Sequence, residues 1–152
     1  MMKDKQLIVS AIKNGTVIDH IPARNLFKVI SILSLERIDT QITFGTNLDS
    51  KRFGSKAIIK IADKYFLDEE VNKIALVAPQ AKLNIIRDYE VIEKRDVEVP
   101  DSITGIVKCV NPKCITNNEE VIAKFSVIQS DDIALKCIYC EKITHQDQMT
   151  II

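Results

Sequence analysis

The four cysteines of the chain stand in two close pairs in its last third. Cys109 and Cys114 have four residues between them, and Cys137 and Cys140 have two. The 22 residues that separate the pairs are long enough for a β-hairpin that brings the pairs together. This spacing suits one tetrahedral zinc ion with four thiolate ligands, and such a site leaves no open position for water or substrate. The sequence therefore predicts a structural zinc site.

Other uses of these thiols are less consistent with the sequence. The N-terminal segment lacks the pattern of a signal peptide, so we expect a cytoplasmic protein, in which thiols stay reduced. A redox site at Cys137 and Cys140 would not need the second pair. Four thiolates around Zn²⁺ carry a formal charge of −2. Four lysines flank the ligands: Lys108, Lys113, Lys136 and Lys142. They either compensate that negative charge or are ordinary solvated surface residues, and their positions alone leave both interpretations open.

The overall charge argues against nucleic-acid and membrane surfaces as partners. The chain has 152 residues, with 21 basic and 21 acidic side chains and a formal net charge of zero. A zinc ribbon that binds nucleic acid is expected to present a basic face with aromatic residues, and only Phe125 and Tyr139 lie near the cysteines. No segment is long and apolar enough to cross a bilayer. We therefore expect no nucleic acid and no membrane as partner.

The chain is predicted to form two domains. Residues 1–100 alternate strand-like and helix-like patterns, whereas residues 101–152 contain short strand-like runs between the cysteines. The segment EVPDSITG, with Pro100 and Gly105, is a plausible hinge between them. About fifty residues rarely fold through apolar burial alone, so the second part is where a metal helps most.

Local patterns predict an α+β fold for the first part. Strand-like runs at 7–12 and 16–21 flank Asn14–Gly15, a strong hairpin signal. Helices are predicted from Pro22 and from a cap at Asp68, and two final strands flank an Arg87–Asp88 turn. The predicted fold is an antiparallel sheet with two helices (ferredoxin-like), followed by a small all-β zinc-binding domain.

Polar residues on this sheet suggest a ligand site. Asp19 and His20 end a strand, and Lys60 and Lys94 lie in strands among apolar residues, so both lysines emerge on an open face. Together they are able to hold a polyphosphate and a ribose. The pattern alone nevertheless favours an ordinary solvated sheet face, since the sequence has no Walker loop and no GxGxxG.

Four segments resemble the regulatory chains of aspartate carbamoyltransferase. They are GTVIDHIPA (15–23), ALVAPQAKLN (75–84), DYEV (88–91) and DIALKCIYCEK (132–142), and the cysteine spacing fits the same family. The resemblance covers essentially the whole chain. It implies a non-catalytic chain in pyrimidine biosynthesis, with a nucleotide-binding allosteric domain and a zinc domain that contacts the catalytic chain. It also implies regulatory homodimers that bridge two catalytic trimers, with CTP and UTP as inhibitors and ATP as activator.

The resemblance also assigns residues to a nucleotide site. Asp19 would contact the ribose hydroxyls, His20 the phosphates and Lys94 the triphosphate, while Lys60 would contact the ribose and the pyrimidine. The base and sugar pocket would be lined by Val9, Ala11, Ile12, Asn84, Ile86, Tyr89 and Val91. A second nucleotide would lie near Lys56 and a turn at Asn47 and Leu48.

Some questions stay open at this point. The loop LDSKRFGSK is more basic than that second region of the family would suggest, so the response to CTP, UTP and ATP is not fixed by the sequence. One alternative is a purely structural bridging chain that has lost its allosteric response. Ile115 and Ile138 face either the catalytic chain or the core of the zinc domain, and the sequence slightly favours the core.

Overall fold

The structure is a computed structural model that describes residues 11–51, 54–129 and 133–152. The chain divides into two compact units, of which the first ends at Glu98 and the second begins at Val99. The helices and strands of the first unit are β1 (Gly15–Pro22), α1 (Leu26–Ile32), β2 (Ile42–Ser50), β3 (Gly54–Ala62), α2 (Asp68–Val71), β4 (Lys82–Arg87) and β5 (Glu90–Asp96). A 3₁₀ turn precedes α1, and α2 continues as a 3₁₀ turn over Asn72–Leu76.

The first unit is an antiparallel sheet with two helices. Its strand order is β2-β3-β1-β4-β5, and each neighbouring pair is antiparallel. Alternate residues of the central strands are fully buried, among them Ile18 and Ile59, and the helices bury Leu26, Val29 and Ile74. This alternation is what a sheet covered on one face requires. The predicted α+β fold is confirmed.

The predicted hairpin at Asn14–Gly15 is wrong. Residues 7–10 lie outside the described residues, and Ala11 and Ile12 belong to no strand. β1 is hydrogen-bonded along both edges, to β3 and to β4. Gly15 is needed instead because its φ is +137° and a Cβ there would lie 2.1 Å from the carbonyl oxygen of Ile61.

The second hairpin is confirmed, with its turn one residue later than predicted. Asp88 and Tyr89 occupy the turn between β4 and β5, with φ of 50° and 67°. Two positive φ values match the turn that favours the twist of adjacent strands.

The helix α2 begins differently from the prediction. Asp68 is the first helical residue and does not cap the helix. Instead, the Leu67 N–H donates to Oε1 of Glu70 at 2.9 Å, and Asp68 forms an ion pair with Arg95 of β5. A carboxylate in the first turn still faces the positive end of the helix dipole.

The second unit is all-β and small. Its strands are β6 (Ser102–Thr104), β7 (Val107–Lys108), β8 (Lys124–Gln129), β9 (Ile133–Cys137), β10 (Ile143–His145) and β11 (Thr150–Ile151). Four strands form one sheet in the order β10-β9-β8-β6, and β7 pairs with β11. The largest fully buried side chains of this unit are Phe125 and Leu135. In the ranges that the structure describes, no helix of either unit has the length and apolar character needed to span a membrane.

Candidate functional site: a four-thiol centre and a groove on the sheet

The second unit brings all four cysteines together. Cys109 follows β7, Cys114 precedes a 3₁₀ turn, and Cys137 ends β9 three residues before Cys140. Their sulfur atoms all lie within 4.8 Å of one another. The Sγ atoms of Cys109 and Cys140 are 3.6 Å apart, and those of Cys114 and Cys137 are 3.7 Å apart.

These distances fit four ligands of one tetrahedral ion. Zinc–thiolate bonds of about 2.3 Å place two tetrahedral ligands about 3.8 Å apart, whereas a disulfide would bring two sulfurs to about 2.05 Å. Three of the four thiols are buried and Cys140 is half-buried. The arrangement is therefore that of a metal centre, and the prediction that the four cysteines form one cluster is confirmed.

Burial and hydrogen bonds act in opposite directions on the ionisation of the clustered thiols. Burial raises the pKa of the Cys109 thiol to about 12, although the backbone at Asn111 donates a hydrogen bond to it. Burial also acts on Cys140, but hydrogen bonds from the Lys142 backbone and the Asn111 side chain outweigh it and lower the pKa of that thiol to about 7. Such opposed shifts are expected where neighbouring thiols cannot all ionise without a cation between them.

Each of the other two thiols also accepts hydrogen bonds. The hydroxyl of Thr116 donates to Cys114 Sγ at 3.2 Å, and the Thr116 backbone contributes a second bond that lowers the pKa of this thiol against the effect of burial. Cys137 accepts from the backbone at Tyr139 and Cys140. Partners of this kind orient metal ligands and spread their negative charge. The flanking lysines, Lys108, Lys113, Lys136 and Lys142, are all exposed.

Two asparagines fix the first cysteine loop. Nδ2 of Asn117 donates to the carbonyls of Cys109 and Asn111, at 2.9 and 2.7 Å. Nδ2 of Asn118 donates to the carbonyls of Pro112 and Cys114, at 3.0 and 2.8 Å. The loop that carries Cys109 and Cys114 is thus held by its own side chains.

The second cysteine loop contains a strained residue. Glu141 has a φ of 65°, and its N–H donates to the carbonyl of Cys137 at 2.9 Å. A left-handed conformation costs a non-glycine residue about 1–2 kcal/mol. Glycine avoids that strain but loses about 0.5–1 kcal/mol more in backbone conformational entropy on folding. We expect Glu141→Gly to raise the free energy of unfolding of the zinc-loaded second unit by about 0.5–1 kcal/mol, measured by chemical denaturation.

A matched variant separates strain from charge at this position. Glu141→Gln keeps the Cβ and the strain but removes a negative charge beside the thiolate cluster. If Gln stabilises the second unit as much as Gly does, electrostatic repulsion and not backbone strain is the cause.

The predicted nucleotide residues of the first unit lie around a bulge in β1. Asp19 and His20 stand inside this strand, where its register with β3 shifts, and His20 has a φ of 60°. The His20 N–H donates to Asp19 Oδ1 at 2.7 Å. Lys56 Nζ lies 2.9 Å from Oδ1 and 3.2 Å from Oδ2 of Asp19. The bulge thereby turns a carboxylate and an imidazole toward the same face.

The strand register aligns both predicted lysines. Lys60 of β3 pairs with Val17, Val17 with Asn84, and Asn84 with Lys94 of β5. Directly paired residues of antiparallel strands project to one face, so these four side chains form a row across the sheet. With strands roughly 4.8 Å apart, Lys60 and Lys94 stand about 14 Å apart along this row. Because each lysine side chain is long and flexible, a ligand that lies between the two strands is able to contact both lysines.

Burial marks one of the two lysines. Desolvation lowers the pKa of Lys60, and the nearby Asp19 carboxylate opposes that shift. Lys94 is exposed, and no ion-pair partner for it exists within the described ranges. The face therefore offers one half-buried ammonium group and one that is free to contact an anion.

A groove of about 490 Å³ opens on this part of the sheet. We call it the sheet groove; its lining residues are Asp19, His20, Lys82, Asn84, Lys94, Arg95 and Asp96. The Nδ1 atom of His20 is buried and has no hydrogen-bond partner among the described residues. A volume of this size is typical of a small-molecule site, and an unsatisfied buried nitrogen is a group that a ligand is able to satisfy.

Three groove residues were not identified from the sequence: Lys82, Arg95 and Asp96. Strand periodicity contains a signal for Lys82, because residues two apart in a strand share a face and Lys82 precedes Asn84 by two. Asp96 is paired with Lys82 in the register of β4 and β5.

Ile86, Tyr89 and Val91, three further predicted pocket residues, lie in and beside the β4–β5 turn. The Tyr89 N–H donates to the Lys13 carbonyl at 2.9 Å, and the Asp88 N–H donates to Asn14 Oδ1 at 3.1 Å. Residues 12–14 are thereby held beside the turn. Tyr89 and Val91 are exposed, Ile86 is 7% exposed, and Ile12 is half-buried. Ala11 is exposed, and Val9 lies outside the described residues.

The predicted second nucleotide region lies on an edge strand. Asn47 and Leu48 were predicted as a turn, which is wrong: both belong to β2, where the register with β3 shifts and Asn47 has a φ of 59°. The third residue of the region, Lys56, is paired with Leu48 across the two strands and forms an ion pair with Asp19. Asparagine tolerates this conformation better than most residues, which explains why a turn-like sequence lies in a bulge.

Comparison with known proteins gives a family match for each of the two units. Residues 7–98 match the family model of the aspartate carbamoyltransferase regulatory chain, allosteric domain, and residues 101–150 match that of its metal binding domain. An aspartate carbamoyltransferase regulatory chain of Bacteroides fragilis is 59% identical over 153 residues, with 100% of each chain covered. That of Bacteroides thetaiotaomicron is 57% identical with the same coverage.

The similarity extends to an archaeal relative. An aspartate carbamoyltransferase regulatory chain of Thermococcus sibiricus is 53% identical over 147 residues, covering 97% of each chain. Both family models and full-length relatives thus agree on one assignment, and that assignment confirms the prediction of a non-catalytic chain. The chain belongs to the family of aspartate carbamoyltransferase regulatory chains.

Proposed function

We propose that the first unit is a sensor for nucleoside triphosphates and that its binding site comprises the sheet groove together with Lys60 and the β4–β5 turn, which lie outside the groove lining. Lys94 would bind the triphosphate, His20 the phosphates, and Asp19 the ribose hydroxyls, while Lys60 would contact the ribose and the base. The single observation that carries the proposal is the row that aligns Lys60, Asn84 and Lys94 beside Asp19 and His20. It places cations, an acceptor and an amide along a face long enough for an extended nucleotide.

The base would lie near residues 12 and 89. The Tyr89 N–H is already donated to Lys13, so the groups left for a base include the Tyr89 carbonyl and the backbone at Ile12. A carbonyl accepts a hydrogen bond from an exocyclic amino group, which cytosine and adenine both have. CTP and ATP are therefore proposed to share the groove, with CTP as inhibitor and ATP as activator. UTP would bind at the second region near Asn47, Leu48 and Lys56 and assist inhibition.

We further propose that the metal is zinc and that the second unit contacts the catalytic chain. Four thiolates favour zinc among the metals available in a reducing cytoplasm. Apolar side chains stand exposed around the cluster, including Ile115 (43%), Ile138 (53%) and Tyr139 (44%). The sequence slightly favoured core positions for Ile115 and Ile138, and the exposed fractions of these two side chains do not support that expectation. Such residues suit a surface that a partner covers. Regulatory homodimers would then bridge two catalytic trimers and control pyrimidine biosynthesis.

The proposed mechanism is a shift between two states of the assembly. A nucleotide can only shift that balance by the difference between its affinities for the two states. A coupling of about 1–3 kcal/mol is enough to change the apparent affinity of a distant site by several-fold to more than a hundredfold. Two nucleotides that share one groove therefore act oppositely if each favours a different state.

A calorimetric titration tests the proposed groove. We expect CTP to bind the zinc-loaded full-length chain, and we expect Lys94→Ala to weaken that binding by about tenfold or more. The reason is that a charge-assisted hydrogen bond contributes about 1.5–3 kcal/mol and Lys94 has no other partner among the described residues.

The control is Lys124→Ala, since Lys124 is also an exposed strand lysine but belongs to the second unit. Equal losses in both variants would indicate non-specific attraction of the anion. If the wild-type chain binds no CTP, the sensing role is refuted for the chain on its own, and a purely structural bridging role becomes the better proposal.

A further inference from the structure

The sheet groove contains a lysine that is already held by a carboxylate. Lys82 of β4 and Asp96 of β5 are directly paired across the two strands and form an ion pair. Both residues line the groove, and their side chains are 44% and 70% exposed. The pair is thus open to solvent, and a ligand in the groove is able to reach it.

Lys82 stands next to the predicted triphosphate contact. Asn84 is paired with Lys94, and Lys82 precedes Asn84 by two residues on the same face of β4. Two residues along a strand span about 6.8 Å. A row of phosphates that begins at Lys94 therefore extends within reach of the Lys82 ammonium group.

Other cations around the groove are held more firmly. Lys56 contacts both oxygens of Asp19, and the two side chains are only 22% and 20% exposed. Arg95 pairs with both Asp68 and Glu93. Lys82, by contrast, is held by one highly exposed carboxylate, so an anion with greater charge is able to replace that partner.

Asp96 opposes any anion that enters the groove. Its carboxylate lies on the lining, and its charge is compensated by Lys82. When a polyphosphate binds Lys82, the Asp96 carboxylate loses its ion pair and is solvated by water instead. Because the Asp96 side chain is already 70% exposed, this exchange leaves no buried unpaired charge.

We propose that Lys82 and Asp96 form an exchangeable ion pair: a nucleoside triphosphate displaces Asp96 from Lys82, Lys82 becomes a second phosphate-binding cation, and Asp96 limits the affinity. This inference rests on the proposed function of the sheet groove. A carboxylate that competes with the ligand weakens binding, which suits a sensor that must respond to changes in a ligand present at high concentration.

Two substitutions test this inference by calorimetry with CTP on the zinc-loaded full-length chain. We expect Lys82→Met to weaken CTP binding by about three- to tenfold and Asp96→Asn to tighten it by about three- to tenfold. Changes of this size lie between the free energy of an exposed ion pair and that of a charge-assisted hydrogen bond. Lys82→Met should also reduce the dependence of the affinity on salt concentration, a change that a purely structural ion pair would not cause.

Matched controls remove the same charges outside the groove. Lys73→Met and Glu69→Gln alter exposed residues in and just after α2 that do not line the groove, and each should leave the dissociation constant within about twofold of wild type. Thermal unfolding checks the fold of all four variants.

The outcomes separate this inference from the proposed function. The exchangeable pair alone is refuted if wild type binds CTP and Lys94→Ala loses that binding, while Lys82→Met or Asp96→Asn keeps a dissociation constant for CTP within about twofold of wild type. An Asp96→Asn variant that binds CTP more weakly also refutes it. If wild type does not bind CTP, both proposals fail together.

Discussion

Cys114→Ser should unfold the second unit of this chain while the first unit keeps its structure. Structural zinc in small four-ligand modules contributes about 10–16 kcal/mol of folding free energy. The whole free energy of unfolding of a typical domain is about 5–15 kcal/mol, so the contribution of the metal is as large as that total or larger. The second unit runs only from Val99 to Ile152, and its largest fully buried side chains are Phe125 and Leu135, so little else holds it.

 The measurement is hydrogen exchange of the zinc-loaded wild type and the variant, together with the zinc content of each.

We expect the variant to lose its single equivalent of zinc and the exchange protection of β8 and β9. The protection of β1 and β3 should remain, because no thiol lies in the first unit. Lys113→Ser is the matched control, since it places serine next to the same ligand at an exposed position. A Cys114→Ser chain with wild-type protection in β8 and β9 would contradict the structural role of the metal.

Loss of zinc from the second unit should also disassemble a complex with the catalytic chain. A mercurial removes zinc by taking its thiolate ligands, and sizing of the treated complex would then show free catalytic trimers. A complex that stays intact after zinc loss would contradict the proposal that the second unit forms the contact.

The metal centre was the part of the molecule that the sequence predicted best. Four cysteines in two close pairs at this spacing suit few sites other than a four-ligand metal centre, whose tetrahedral geometry is the same in unrelated folds. The structure accordingly places all four sulfurs within 4.8 Å of one another. What the spacing did not indicate is how the loops are fixed, since the bonds of Asn117 and Asn118 depend on the loop conformation.

The sheet groove was predictable only in part, because its shape depends on local irregularities. His20, Asn47 and Tyr89 all have positive φ values, and all three belong to the predicted nucleotide positions. Regular periodicity predicts which strand residues share a face, and Lys60 and Lys94, both expected on an open face, lie in one row of the strand register. It does not locate bulges, which shift the face of every residue that follows.

The Asn14–Gly15 pair shows how a strong local signal fails when tertiary contacts decide the conformation. The dipeptide is typical of a two-residue hairpin turn. Here Asn14 accepts hydrogen bonds from two other segments: its side chain from the Asp88 N–H and its carbonyl from the Asp63 N–H. The glycine allows β1 to begin in close contact with β3. Neither role is visible without knowing which strands are neighbours.

Gly15→Ala should therefore destabilise the first unit strongly. A Cβ at this position would lie 2.1 Å from the Ile61 carbonyl oxygen and 3.0 Å from the Asp63 nitrogen, and both are backbone atoms that cannot rotate away. We expect the free energy of unfolding of the first unit to fall by about 3 kcal/mol or more, at the upper end for overpacking. Chemical denaturation followed by hydrogen exchange of β1 and β3 measures this loss.

CTP binding should weaken in the same variant. Ile12, a predicted pocket residue, has its Cδ1 only 3.1 Å from the position of the new Cβ, so this pocket side chain must shift by a few tenths of an ångström. Gly54→Ala is the matched control, because Gly54 also has a positive φ, +78°, but an added Cβ there meets no atom within 4 Å. It should cost only the conformational penalty of about 1–2 kcal/mol and leave CTP binding unchanged. Equal losses for the two variants would show that backbone conformation, and not the close approach of β1 to β3, explains the glycine at position 15.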